Sequence, residues 1–238
     1  MKLIIDIGNT LVKLALFNED KMVATTNVSS LSIDNIEKFH KNELITRSIV
    51  STVKNLDDNT IKIINKYRSL VLTSSLQLPI DIKYTTPETL GNDRIAAVIA
   101  ASVLYPDKDV AVIDCGTCLT MDIIYANKEY VGGRISPGLL MRYQSLFNFT
   151  EKLPDLSPCY TDDVIGNNTD LSIHTGVQRG MISEIDNFID SFIEEKPNSF
   201  VILTGGDVNF FEKALKNTIF ADPYLVMKGL NEILDYNE

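Results

Sequence analysis

Three short stretches of this chain combine carboxylates, hydroxyls and glycines in a way that suits the handling of phosphates. The first, Asp6-Ile7-Gly8-Asn9-Thr10, follows the apolar run Leu3-Ile4-Ile5 and leads through Leu11-Val12 to Lys13. Glycine lets the backbone turn tightly and bring bare N–H groups up to a ligand, while an Asp at a strand end can point into a cleft. The second, Asp114-Cys115-Gly116-Thr117, repeats that order behind Ala111-Val112-Ile113. Two such hairpins supply two sets of phosphate donors and two carboxylates. The carboxylates suit Mg²⁺, held directly or through its waters, and Lys13 could reach a phosphate. The third stretch, Phe200-Val201-Ile202-Leu203-Thr204-Gly205-Gly206-Asp207, is an apolar strand ending in two glycines, where a flat ring or a phosphate can lie against the backbone. Each stretch also has a plainer reading, as a hairpin turn or a strand-to-helix turn.

The elements that must position these residues come in two rounds. Strand, turn and strand at Lys2–Ile7 and Leu11–Phe17, then Met22–Val28, read as a meander, and helical periodicity and shorter strands follow. An Ala- and Ile-rich stretch from Asn92 to Leu104 predicts a helix. The pattern then restarts at Val110–Asp114, with a long helix predicted over Leu171–Phe192 and a last one near Leu225–Leu234. A second Asp-x-Gly at the same place in a matching order of elements implies a duplicated α/β architecture with a cleft between its halves. The expected domains are residues 1–108 and 109–238.

Taken together the motifs become recognisable. Asp-x-Gly-Asn-Thr, a second Asp-x-Gly-Thr and a late Thr-Gly-Gly resemble the two phosphate motifs and the adenosine motif of the actin-like ATPase superfamily. Gly91-Asn92-Asp93-Arg94 resembles the Gly-x-Asp-Arg motif of type III pantothenate kinases. Gly132-Gly133-Arg134-Ile135-Ser136-Pro137-Gly138 with Met141 is similar to that family's Gly-Gly-x-Ile-x-Pro-Gly-x-x-Met block. Gly166-Asn167-Asn168-Thr169 and Met227-Lys228-Gly229-Leu230 match too, so the resemblance runs from Lys2 to about Leu230.

The resemblance implies a duplicated actin-like ATPase (ribonuclease H-like) fold of two α/β domains with an interdomain cleft. It implies ATP-dependent phosphorylation of pantothenate to 4′-phosphopantothenate, the first step of coenzyme A biosynthesis. Residue by residue, Asp6, Ile7, Gly8, Asn9, Thr10, Leu11, Val12 and Lys13 would form the ATP-phosphate hairpin, and Thr117 would contact ATP. Asp93 would be the general base. Tyr84, Gly91, Asn92, Asp93, Arg94 and Thr169 would contact pantothenate. Asp114 would hold an activating monovalent cation, K⁺ or NH₄⁺, with Mg²⁺ accompanying ATP. The family is dimeric, with the substrate pocket near the subunit interface. The chemistry fits these roles, because phosphoryl transfer needs alignment, charge neutralisation and an acceptor for a proton that becomes acidic late. Asp93 can equally complement the start of its helix with Asn92 as the cap, and Thr169 can cap the long helix after it. Cys118 stands where the family more often has Ala.

Composition narrows the field. A formal charge of −10 argues against nucleic-acid binding, and the longest apolar stretch, Ile95 to Tyr105, is too short to cross a bilayer. The N-terminus does not read as a signal peptide, so a cytoplasmic protein is expected. Three cysteines are too few for a disulfide framework, and Cys115-Gly116-Thr117-Cys118 lacks the partners of a metal site. His40 and His174 read as surface or packing residues. The rival readings are a kinase of the same superfamily acting on another small alcohol or sugar, a non-catalytic regulatory relative, and, less favoured, a filament former.

Overall fold

Leu3, Ile4 and Ile5 are all fully buried, a pattern that a strand gives only when both of its faces are covered. They form the middle of β1 (Lys2–Ile7) in the computed structural model, which describes residues 1–237. The chain turns into antiparallel β2 (Val12–Asn18) and then β3 (Lys21–Val28), whose residues alternate between exposed and half-buried, as on a sheet edge. After α1 (Ile33–His40) comes β4 (Arg47–Thr52), parallel to β1, and after α2 (Asp58–Tyr67) the two-residue β5 (Leu70–Val71). The resulting order is β3-β2-β1-β4-β5. Ser32 and Asp57 cap the starts of α1 and α2 through their side chains.

Alternation along β1 separates the faces of this sheet. Leu3, Ile5 and Ile7 join Leu14, Val50, Ile36 and Ile63 in one core cluster, beneath α1 and α2. Ile4 and Asp6 therefore point to the other face, which α3 (Asn92–Leu104) and the C-terminal helix (Leu225–Tyr236) cover. Every residue of α3 from Arg94 to Ser102 is buried. Its alanines let the C-terminal helix approach so closely that a Cβ on Gly229 would overlap the Ala96 backbone. Asp235 fastens that helix to the starts of β1 and β4, with Lys2 Nζ at 2.5 Å and Arg47 at 2.7 Å. These contacts put the chain from Tyr224 onward in the first compact unit, with residues 1–104 and 128–130. A cut at 108/109 would assign the C-terminal helix to the second half; packing against α3 assigns it to the first. The short β6 (Asp81–Ile82) also lies in the first unit, parallel to Glu129 and Tyr130.

The second unit repeats the plan. β7 (Val110–Cys115) and β8 (Cys118–Ile124) form an antiparallel hairpin, followed by β9 (Glu129–Pro137), α4 (Leu139–Asn148) and the long α5 (Thr169–Glu195). β10 (Phe200–Thr204), α6 (Val208–Phe211) and β11 (Phe220–Ala221) complete it, with β10 parallel to both β7 and β11. The sheet has six strands, with β6 at its edge beside β9, and its other five, in the order β9-β8-β7-β10-β11, match β3-β2-β1-β4-β5, so the duplication expected from the two Asp-x-Gly motifs is a duplication of topology. Ala111, Ile113, Cys115, Leu119, Met121 and Leu203 pack with α4 and α5 in one core. α6 and β11 were not expected; at four and two residues they are too short to leave a periodicity.

Candidate active site

In the first unit, the strand register builds a polar cluster at the C-terminal end of β1. Asp6 pairs with Lys13 across the β1–β2 hairpin and with Ser51 on parallel β4, so the three side chains share the face of the sheet that α3 covers. The hairpin that follows is tight: Gly8 N–H donates to the Leu11 carbonyl at 3.1 Å. Burial pushes the Asp6 carboxyl up to about 6; Lys13 and Ser51 pull it down, and the nearby Asp93 raises it again. Ser51 lies beside Asp6 in a geometry short of a full hydrogen bond, and its fully buried Oγ has no hydrogen-bond partner. A buried carboxylate and an orphaned hydroxyl, with one lysine across the ladder, leave negative charge and hydrogen-bonding capacity for a hydrated cation to satisfy. That donor set fits Mg²⁺.

Asp93 enters the same neighbourhood from the first turn of α3. Its Oδ1 accepts a hydrogen bond from the Arg94 backbone N–H at 2.8 Å, so the carboxylate is held at the helix start, where the dipole favours it. Asn92 does not cap the helix through its side chain as the plainer reading expected. Its Nδ2 donates to the Thr52 carbonyl at 3.2 Å and the Leu72 carbonyl at 3.1 Å, tying α3 to the ends of β4 and β5. Arg94 is buried and its guanidinium lies 5.8 Å from the centre of the Tyr84 ring, which stacks on Tyr130 at 6.2 Å. The first unit thus brings together six residues expected at the site: Asp6, Lys13, Tyr84, Asn92, Asp93 and Arg94.

Gly91 has a sharper requirement. A Cβ there would meet Asp93 Oδ1 at 2.5 Å, and no backbone atom. Gly91→Ala should therefore fold normally while displacing the Asp93 carboxylate. If Asp93 acts in the reaction, kcat should fall about 10- to 100-fold with the melting temperature nearly unchanged. Unchanged kcat, measured beside a thermal melt, would remove Gly91 from the site.

In the second unit three motifs converge on the end of β7. Asp114 pairs with Thr120 on β8 and with Thr204 on β10. Gly205 has φ +100, open to glycine, and a Cβ on it would run into Asp114 Oδ1 and the Cys115 carbonyl. Asp207 N–H donates to that carbonyl at 2.9 Å. Gly138, at the start of α4, abuts the carbonyls of Gly116 and Thr117 with no room for a side chain. The hairpin carrying Thr117, the Gly-Gly-x-Ile-x-Pro-Gly block and the Thr-Gly-Gly turn are thus neighbours. Cys115 packs in the core beneath α5, and burial, with the negative Asp114 and Asp207 nearby, pushes its thiol up, leaving it protonated and inert.

Thr169 is the first residue of α5. Asn168, not Thr169, is the cap, its side chain accepting from Leu171 N–H at 2.9 Å. Thr169 lines a cavity of about 880 Å³ with Arg142, Leu146, Leu153, Asn167 and Ile173. No group of three or more His, Cys, Asp or Glu among the described residues forms a ready metal cage. Sequence reasoning missed Ser51 altogether, and it placed Thr204 in the Thr-Gly-Gly motif without seeing that it lies beside Asp114. Each is a hydroxyl beside a motif Asp on a strand distant in sequence, and only the register reveals it.

Comparison with known proteins bears on the whole of this arrangement. A family model described as type III pantothenate kinase matches residues 2–191. The chain is 43% identical over 239 residues to a type III pantothenate kinase of Bacteroides fragilis, covering 100% of this chain and 98% of that protein. Among solved structures it is similar to a Campylobacter jejuni protein assigned to the Baf family of transcriptional activators. That match has a TM-score of 0.63 and 22% identity, covering 99% of this chain and 98% of the other. It is also similar to a ROK-family glucokinase of Streptomyces griseus, with a TM-score of 0.54 and 14% identity over 99% and 98% of the two chains. At those identities the structural likeness speaks for the fold alone, and the fold is the duplicated actin-like ATPase one.

Proposed function

The chain belongs to the type III pantothenate kinase family, and on that premise we infer that it transfers the γ-phosphoryl group of ATP to the terminal hydroxyl of pantothenate. The product is 4′-phosphopantothenate, the first step towards coenzyme A. The observation that carries this reading at the level of residues is the meeting of Asp6, Lys13 and Asp93 on one face of the first unit. Those are the groups that phosphoryl transfer to an alcohol requires: phosphate and cation contacts beside a carboxylate able to accept the alcohol proton.

We assign the roles as follows. Asp6 to Lys13 contact the ATP phosphates, with Asp6 and the Ser51 hydroxyl facing the hydrated Mg²⁺. The divalent ion, when bound, neutralises phosphate charge. Asp93 accepts the proton of the pantothenate hydroxyl, and Arg94, held against Tyr84, contacts the pantothenate carboxylate side with Gly91. Asn92 supports that pocket from behind. In the second unit Thr117 contacts ATP, Asp114 takes the monovalent cation and Thr169 faces pantothenate. ATP consumption by the purified protein, with and without pantothenate and in K⁺ against Na⁺ buffer, tests the core of this. Turnover that needs pantothenate and K⁺ is the expected result; a folded, nucleotide-binding protein that ignores pantothenate would overturn it.

The enzyme works as a homodimer in the cytoplasm. Supporting the dimer, large apolar side chains are exposed on the second unit, with Phe149 89% exposed, Ile165 83% and Val164 73%. Val164 and Ile165 directly precede the stretch Gly166–Thr169 that borders the Thr169 cavity, and Phe149 ends α4, which also lines it. No described helix is long and apolar enough to cross a membrane. Phe149→Glu combined with Ile165→Glu should convert the dimer to monomer in sedimentation experiments and raise KM for pantothenate. A double variant that stays dimeric would place the interface elsewhere.

A further inference from the structure

We propose that Ser51 is a positioning residue of this kinase, its hydroxyl holding the Asp6 carboxylate and a water of the divalent cation in place. The proposal rests on the function inferred above, and it starts from an unexplained cost. Ser51 sits inside β4 between Val50 and Thr52, fully buried, and its Oγ has no hydrogen-bond partner. Burying an unsatisfied hydroxyl is unfavourable, because the water it gave up is not replaced. Its neighbours Ile49 and Val50 show that this strand accepts apolar residues, so packing gives no reason for the oxygen. On the opposite end of the same strand, the buried Ser48 hydroxyl is satisfied by Ser69. Within β4, the Ser51 hydroxyl has no such partner.

Its position supplies a reason. β1 and β4 are parallel with Asp6 and Ser51 in register, so the hydroxyl is a direct strand neighbour of the carboxylate on the face that α3 covers. Lys13 occupies the matching place on the other side of Asp6. The carboxylate is thus flanked by a cation on one strand and by a hydroxyl with spare donor and acceptor capacity on the other. A hydrated divalent ion offers what that hydroxyl lacks, because its bound waters are strong donors and the hydroxyl proton can then point at Asp6.

The second unit provides an independent instance. β7 and β10 repeat β1 and β4, and the residue in register with Asp114 is Thr204, another buried hydroxyl. In both halves the motif Asp at the strand end is accompanied by a hydroxyl on the parallel neighbour. The two residues are 153 positions apart in the chain by their numbers, and no local spacing relates them. What the halves share is an acidic strand end that must be aimed.

The test compares Ser51→Ala and Ser51→Thr with the wild type by three readouts. Mn²⁺ is titrated in the presence of ADP and followed by its electron paramagnetic resonance signal. Thermal melts are recorded without metal. Steady-state kinetics are measured over a Mg²⁺ series. Ser51→Ala is expected to melt at or above the wild-type temperature, having lost an orphaned polar group. It is expected to bind Mn²⁺ about tenfold more weakly, within the 10- to 100-fold seen when outer-shell partners of metals are removed. Its kcat should fall at limiting Mg²⁺ and recover in excess, with KM for pantothenate unchanged, and Ser51→Thr should restore metal affinity. Wild-type Mn²⁺ affinity in Ser51→Ala would overturn the proposal, as would a lowered melting temperature with no change in Mg²⁺ dependence. A wild type that binds Mn²⁺ with ADP but does not phosphorylate pantothenate would sink the substrate assignment and leave this inference standing.

Discussion

Asp93→Asn is expected to lower pantothenate-dependent turnover about 10²- to 10⁴-fold, the range for losing a general base, while the protein stays folded and still binds ATP. Asn is nearly isosteric, and its Oδ1 can accept the same 2.8 Å bond from the Arg94 N–H, so the start of α3 keeps its hydrogen bond. What disappears is the ability to take a proton, and one negative charge. The loss of charge has two opposing effects on stability. A carboxylate in the first turn of a helix is worth about 0.3–1 kcal/mol through the dipole. Against that, Asp93 bears on the buried Asp6 carboxylate and raises it, so removing Asp93 relieves a repulsion inside the unit. The two nearly cancel, and the melting temperature should move by no more than a few degrees. Kinetics, a nucleotide-binding titration and a melt on the same preparation decide it. Full turnover in the variant would take the base away from Asp93, and a collapse of the melt would return it to a structural role at the helix end.

The residues of this site differ in how far they could be read from the chain alone. Asp6 and Asp114 are legible because an apolar strand running into Asp-x-Gly is a local pattern, and its recurrence reports the duplication. The bounds of α3 are legible for a similar reason: Gly91 interrupts the backbone and an unbroken Ala-rich run follows up to Leu104. The partners of these residues are another matter. Nothing within a few positions of Ser51 distinguishes it from Ser48, although one is an orphan beside Asp6 and the other is paired with Ser69. That difference exists only once β4 is laid against β1 in one register, a long-range event that spacing does not encode.

Asn92 and the C-terminal helix show the same limit from another side. A polar residue before a helix suggests a cap, yet the Asn92 amide reaches the carbonyls of Thr52 and Leu72, which are 40 and 20 residues away. The periodicity of Leu225–Tyr236 says that one face of the helix is buried, and it is silent on what buries it. The identity of the neighbour is written in Gly229, which fits only against the bare Ala96 backbone, and in Asp235, which needs both Lys2 and Arg47. Each is a complementarity between distant residues. A helix at the end of a chain therefore joins the half that holds the chain's start.

Asp6→Asn should abolish most of the activity and at the same time stabilise the protein, in a pH-dependent way. Burial raises the Asp6 carboxyl from 3.8 to about 6, so between those pH values the native state binds more protons here than the unfolded chain. Stability then falls as pH rises from about 4 through 6 and levels off above, the reverse of a salt-bridged carboxylate. At about 1.4 kcal/mol per pH unit the full penalty approaches about 3 kcal/mol at pH 8. An amide carries no such penalty. For a chain of this size the relief corresponds to roughly 5–10 °C in the melting temperature at pH 8, and to almost nothing at pH 4, where the wild-type carboxyl is already protonated. Activity moves the other way, by at least about 100-fold, since the charge that costs stability is the one proposed to face the cation and the ATP phosphates. Adding Mg²⁺ with ADP should raise the melting temperature of the wild type far more than that of the variant, because only the wild type has a buried charge for the metal to neutralise. Equal melting at pH 8, or an equal gain at pH 4 and pH 8, would show that Asp6 is not held as a strained carboxylate. The expected pattern would instead identify the site as one that gives up stability for function.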